Sequence, residues 1–405
     1  MRNIDHLSSK PTGKSFLVCI LLFPVLFLLQ EKAFSQTEGI EIFGYYEPQF
    51  TGFRVNGEYQ QLTSNKLRID FERSVSDRLT FKANYDFITY SGTTVFYITD
   101  YFVEDIISVL PPGSRENYIL NFENREFLDN AYMKIAFKKF DLTVGKQQIS
   151  PGAGYAWNPT DVFNIKSVLD PTYEQPGYNA VRADIPLGNS STLSMVYSPE
   201  EDFEHSGKFL KLKWRAGHFD ISALGGERYW NLSDYTNVLF RQERRRTAGF
   251  DISGEMFGLG VWSECAYNNM EISENFFEGL IGFDYTFGNG LYLLNEFYRN
   301  EQGKTDYREF TLDGWMRNLT SESKALSRDQ WYSYLIYPAS DLLMIGASAI
   351  TSLNDGSLAF IPTAIYNFDD NMDITLFGNI YFGTDGKTFS PLLGSGFLLR
   401  ARYYF

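Results

Sequence analysis

Phe397-Leu398-Leu399-Arg400-Ala401-Arg402-Tyr403-Tyr404-Phe405 is the stretch on which the reading of this chain turns. Apolar or aromatic groups stand at 397, 399, 401, 403 and 405, and Arg400 and Arg402 fall between them. A period of two is that of a β-strand with one apolar and one wet face. Chain ends of soluble domains are commonly frayed and polar, yet here an aromatic holds the last position of the apolar face.

The same alternation recurs upstream. Leu79, Phe81, Ala83, Tyr85 and Phe87 share a face opposite Thr80, Lys82, Asn84 and Asp86, and Ala131, Met133 and Ile135 oppose Asn130, Tyr132 and Lys134. Leu210, Leu212 and Trp214 alternate with Lys211 and Lys213, and Ala248, Phe250 and Ile252 with Thr247, Asp251 and Ser253. Turn-forming clusters punctuate these runs at 76–78, 138–141, 187–190, 216–218, 256–258, 288–290, 338–341 and 369–371. Between successive turns lie an up-strand, a variable loop and a down-strand. Counted this way the chain holds about eighteen strands, within a range of roughly 16–18.

Composition narrows the setting. Phe (36) and Tyr (27) are abundant, aromatics reach 17%, and mean hydropathy is only -0.25. No apolar stretch after residue 35 is long enough for a membrane helix. Barrel strands need only every second residue apolar and use aromatics at the membrane interfaces. A soluble β-sandwich shares that composition but has no need of regular short turns alternating with long loops. The expected fold is therefore all-β, a transmembrane antiparallel up-and-down β-barrel. With the first strand starting near Ile40, no plug domain is expected.

Arg2, Lys10 and Lys14 precede an apolar run from Ser15 to Leu29, followed by Ala33-Phe34-Ser35. This is the pattern of a secretory signal peptide, expected to be cleaved after Ser35 to leave a barrel of residues 36–405. Removing 1–35 takes away Arg2, Lys10, Lys14 and Lys32 but only Asp5 and Glu31, so the net charge moves from -14 to -16. Such acidity argues against nucleic acid as a partner. Cys19 leaves with the leader, and Cys265 alone forms no intramolecular disulfide.

Parity assigns the inward charges, because a charge facing lipid at the midplane costs about 2–4 kcal/mol. The expected pore-lining set is Lys82, Lys134, Arg182, Asp184, Lys211, Lys213, Asp251, Glu255, Glu264, Asp284, Glu296, Arg400 and Arg402. Long outward loops are expected near 91–125, 149–177, 225–244 and 299–329. Short helices are expected around Ile98–Leu110 and Ser321–Leu326. Arg241, Arg244, Arg245 and Arg246 read as a solvated loop edge at the outer mouth.

Only His205 and His218 follow the leader, too few and too separated to join Cys265 in a metal site. A hydrolase centred on His205, near Ser198, Ser206 and Glu200–Glu204, is a minor alternative. The acidic run there reads more simply as a solvated loop. No catalytic, cofactor-binding or metal-binding residue is expected.

Leu142-Thr143-Val144-Gly145-Lys146-Gln147-Gln148, followed by Gly152 and by Asn158-Pro159-Thr160-Asp161-Val162-Phe163-Asn164, resembles a segment of porin-like outer-membrane barrels with a "GRQ…G…NPTDxF" pattern. Lys146 stands where that pattern has Arg. The resemblance spans 142–185 and returns more weakly at 282–290. The closing strand likewise resembles those of outer-membrane barrels, in which the C-terminal aromatic is read by the barrel-assembly machinery; Tyr403 and Phe405 would be that signal.

The resemblance implies an outer-membrane location, lipid and the assembly machinery as partners, and passage of small hydrophilic solutes. Tyr155, Trp157, Asn158 and Asp161 would then form an inward constriction loop, although packing of the same loop on the rim fits the residues equally well. The expected function is passive diffusion through a charged lumen. The main alternative is a non-conducting structural or adhesin barrel that binds through its long loops.

Overall fold

The computed structural model describes residues 39–405 except 56, 112, 167, 168, 170–173, 200–202, 238 and 240, so the leader and its cleavage site lie outside the described residues. One sheet contains eighteen strands. It opens with β1 (Glu41–Val55), β2 (Glu58–Ser76) and β3 (Leu79–Gly92). A small hairpin of β4 (Val95–Tyr97) and β5 (Ile119–Asn121) lies outside the sheet, within the first long loop.

The sheet continues with β6 (Arg125–Ala136), β7 (Asp141–Gln147), β8 (Tyr178–Pro186), β9 (Ser191–Ser198), β10 (Gly207–Ala216) and β11 (Phe219–Asn231). Next come β12 (Gln242–Met256), β13 (Leu259–Met270), β14 (Phe276–Thr286), β15 (Tyr292–Asn300) and β16 (Asp329–Pro338). β17 (Leu343–Ser352), β18 (Leu358–Asp369), β19 (Met372–Phe382) and β20 (Gly396–Tyr404) complete it.

Every strand of the large sheet pairs antiparallel with the next strand of that sheet along the chain, and β20 returns to β1. The sheet is a closed barrel. Closure removes the unpaired edge that an open sheet leaves in lipid. At the seam Tyr46 lies opposite Tyr403 and Phe50 opposite Leu399. Gly44 and Phe405 exchange both backbone hydrogen bonds, at 3.0 and 3.1 Å. Any Cβ on Gly44 would meet the Arg68 carbonyl and lie 3.1 Å from the Phe405 ring, so only glycine lets that ring settle there.

The alternation separates the two faces. Phe250, Tyr267, Phe277, Ile281, Phe283, Phe397 and Leu399 are exposed on the outer surface, whereas Asp251, Glu264, Glu278, Glu296 and Arg400 are buried inside. Tyr403 shares the parity of Phe397 and Leu399 but is buried beside its seam partner Tyr46. The eight turns expected from sequence fall on one side of the barrel, together with both ends of the described chain.

Loop details differ from the sequence expectations. The third long loop shrinks to residues 232–241 because β11 and β12 run past it to Asn231 and Gln242. Arg244, Arg245 and Arg246 therefore belong to a strand, not to a loop edge. The Ile98–Leu110 segment forms a 3-10 turn (Ile98–Tyr101) and one helical turn (Glu104–Ile107). The helix expected at 321–326 lies instead at Leu312–Leu319. There the Thr311 hydroxyl accepts from the Gly314 N–H, and Leu312, Trp315 and Met316 form a buried stripe.

Candidate functional site

Residues 149–166, after β7, fold into the barrel, and two buried carboxylates on the inner wall hold them there. Glu264 of β13, 1% exposed, accepts from the backbone N–H groups of Ala153 (2.7 Å), Gly154 (3.0 Å) and Thr160 (2.6 Å) and from the Thr160 hydroxyl (2.7 Å). Glu296 of β15, 0% exposed, accepts from the backbones of Tyr155 (2.8 Å), Ala156 (3.1 Å) and Trp157 (3.0 Å) and from the Trp262 indole (2.7 Å). A buried carboxylate is tolerable only when its lone pairs are filled this way. Gly152, at φ +109°, passes so close to Glu264 that a Cβ would sit 2.8 Å from both carboxylate oxygens. Of the two placements open from sequence, the loop takes the inward one.

Trp157 and Tyr155 face different surroundings. The Trp157 indole stacks on Tyr298 of β15, centroids 4.8 Å apart and planes 7° from parallel. It belongs to an apolar core with Leu280, Leu294, Ile350, Ile361 and Phe377, all on the inner wall of β14–β19. Tyr155 is half exposed and stacks against Tyr332 and Tyr334 at 6.0 and 6.2 Å. Asn158 is buried, its amide oxygen accepting from Lys166.

Asp161 accepts from the backbones of Phe163 and Asn164 and from the Asn164 side chain. Burial pushes its carboxyl up to about 6 against those hydrogen bonds. The charged lumen expected from sequence does not extend over this half of the wall. Where the loop covers the wall, the inward positions become a protein core and take core residues.

Opposite this core the wall is charged. Lys82 pairs with Glu72 (2.7 Å), Lys134 with Asp141 (3.1 Å), Arg182 with Asp184 (2.9 Å), Lys211 with Asp251 (2.9 Å) and Lys213 with Asp220 (3.1 Å). Lys82, Lys134, Arg182 and Asp184 border a turn-side cavity of about 510 Å³ with Arg68, Asp70, Asn84 and Gln147. Asp284 accepts from the Tyr292 hydroxyl at 2.8 Å, and Glu255 is exposed at the turn-side end of β12. Arg402 donates to Glu47 at 2.6 Å, and Arg400 lies 3.6 Å from the same carboxylate.

Several inner groups were not expected at the inner wall from sequence, Arg245 among them, which read there as part of a solvated loop edge. Arg245 and Glu278, 2% and 1% exposed, pair at 2.8 Å; Glu278 also accepts from Tyr298 and Asn268 and lies 3.3 Å from the Lys324 ammonium. Lys324, from the loop after β15, donates to the carbonyls of Asn158 (2.7 Å) and Pro159 (3.2 Å), tying that loop to the inward one. Glu174, on the return arm of the inward loop, reaches Tyr45 OH (2.7 Å), Lys66 (2.7 Å), Arg402 (3.1 Å) and Arg68 (3.5 Å). Strand parity marks Arg245 and Glu278 as inward, but nothing local marks Glu174 or Lys324, whose partners are far along the chain.

Above the site, Phe102, Tyr118, Tyr235, Phe310, Leu312, Trp315, Met316 and Leu326 from three loops pack into an apolar cluster. Glu322 fastens it by accepting from Ser233 and Tyr235. His205 lies edge-on to Tyr229 at 4.3 Å, and the nearby Ser198 hydroxyl donates to the Asn179 carbonyl. Glu200, Glu201 and Asp202 lie outside the described residues.

No known family model matches the chain, and no curated protein matches it in sequence. Solved structures do match in shape. OccAB4 of Acinetobacter baumannii superposes with a TM-score of 0.54 at 9% identity, over 92% of this chain and 99% of that one. A Rhodopseudomonas blastica porin variant covers 90% of this chain and 100% of its own at 11% identity, with a TM-score of 0.46. OmpT, an outer membrane protein of Vibrio cholerae, covers 90% and 99% at 12% identity, with a TM-score of 0.45. The fold is that of a porin-like barrel.

Proposed function

We propose that the mature chain, residues 36–405 after removal of the leader, is an outer-membrane channel through which small hydrophilic solutes diffuse passively. The observation that carries this reading is the inward loop pinned by Glu264 and Glu296 inside an eighteen-stranded barrel. A barrel of that circumference is too wide for its side chains to fill. The loop narrows it while the charged half keeps water along the wall. Discrimination is then by size and by wall charge.

Lipid and the barrel-assembly machinery are the remaining partners, and the seam residue Phe405 is the assembly address. Liposomes carrying the purified protein should swell in small sugars and amino acids, at rates falling steeply with solute size. Proteoliposomes that exclude even the smallest of these would end the channel reading.

A second reading is a non-conducting barrel that binds a partner through its loops. It draws support from the packed cap around Trp315 and Phe102, which offers a fixed outer surface.

A further inference from the structure

We propose that Glu174 makes the channel cation-preferring, an inference that rests on the channel reading above. The wall formed by β20, β1, β2, β3 and β6 carries one interlocked set of charges. Its cations are Lys66, Arg68, Arg400 and Arg402; its carboxylates are Glu47, Asp70, Asp86, Asp129 and Glu174. Without Glu174 the four strand-borne carboxylates already match the four cations, since each cation has a strand partner within 4 Å. Glu174 is a fifth carboxylate that the wall does not need for balance.

It is also the one that faces water. The Glu174 side chain is 34% exposed, against 2–10% for Glu47, Asp70, Asp86 and Asp129. Among the described residues, the inner cations packed under or against the inward loop, Lys166, Arg228, Arg245 and Lys324, stand against the four buried carboxylates Asp161, Glu264, Glu278 and Glu296 and leave no surplus to offset it. Lys82, Lys134, Arg182 and Lys211 are each matched one to one. Glu264 and Glu296 are sealed beneath the loop by backbone donors. At the turn-side rim Lys213 and Arg215 share Asp220, but both are more than half exposed, where bulk salt screens them. A surplus negative charge between low-dielectric walls focuses its field along the water path and enriches cations there.

The test is the reversal potential of the purified protein in a planar bilayer under a KCl gradient. Wild type should prefer K+ over Cl-. Glu174→Gln should reduce that permeability ratio several-fold, Glu174→Lys should invert it, and Glu174→Asp should retain the preference. Heat-modifiable migration on gels confirms that each variant folds. An anion preference in wild type, which needs no variant to measure, overturns the proposal. So does a Glu174→Gln channel with an unmoved ratio. Folded wild-type protein that gives no channels at all contradicts the underlying channel reading instead.

Discussion

Glu264 and Glu296 do at the residue scale what a loop this long cannot do for itself. Each gathers N–H donors from a stretch with little regular structure and fixes it to a rigid strand. Replacing both by Ala leaves those donors without partners, and charge-assisted hydrogen bonds are worth about 1.5–3 kcal/mol each. The Glu264→Ala/Glu296→Ala protein should therefore keep its barrel yet show larger conductance and new protease cleavage within 149–166. Unchanged conductance and an uncut loop would mean that the apolar stack of Trp157 on Tyr298 suffices to hold it.

Arg245 and Glu278 form a buried pair of a different kind, strand to strand, with the Arg245 guanidinium also over the Trp230 ring at 4.6 Å. Removing one partner from such a pair costs about 3–5 kcal/mol. Arg245→Met should thus lower the barrel's urea stability by that order, whereas a change below about 1 kcal/mol would show the pair to be water-accessible.

At the scale of elements, the two loops that define the site divide the work. The inward loop meets the wall at Glu264 and Glu296 on one side and through Glu174 on the other. Glu174 sits on the loop, outside the spanning strands. Despite partial burial, its carboxyl is held below its ordinary 4.5 by Lys66, Tyr45 and Arg402. A depressed carboxylate contributes stability that is present above its ordinary value and lost as pH falls through the lower, folded value. The link should therefore persist at pH 5–7 and weaken only below 4.5. Reversal potentials followed against pH should show a wild-type transition there that Glu174→Gln lacks.

The cap is held by Trp315, wedged between Phe102 at 5.4 Å and Phe310 at 6.0 Å. Trp315→Ala should open residues 301–328 to proteases while leaving heat-modifiable folding intact. Strand positions and turns were legible from the chain because a period of two and turn chemistry are local signals. The loop helix was misplaced by about one helical length. Its stripe of Leu312, Trp315 and Met316 is short, and tertiary packing against Phe102 and Tyr235 decides it.

For the whole molecule, closure gives the terminal strand its meaning. Arg400 and Arg402 lie inside against Glu47, Phe397 and Leu399 lie outside, and Phe405 completes the backbone ladder with Gly44. Deleting Phe405 removes two hydrogen bonds at the seam as well as the proposed assembly address. Insertion yield should fall sharply, while the molecules that do insert should conduct as wild type.

The sequence made the barrel and its strand number readable through alternation. It left unread the apolar inner half, because lipid and a folded loop demand the same residues. It also left unread Glu174 and Lys324, because their partners lie across the lumen. The measurement that bears most directly on the channel is single-molecule conductance of the folded mature protein in a planar bilayer. The account predicts stable, ohmic unitary steps; folded, heat-modifiable protein that inserts and stays electrically silent would contradict it.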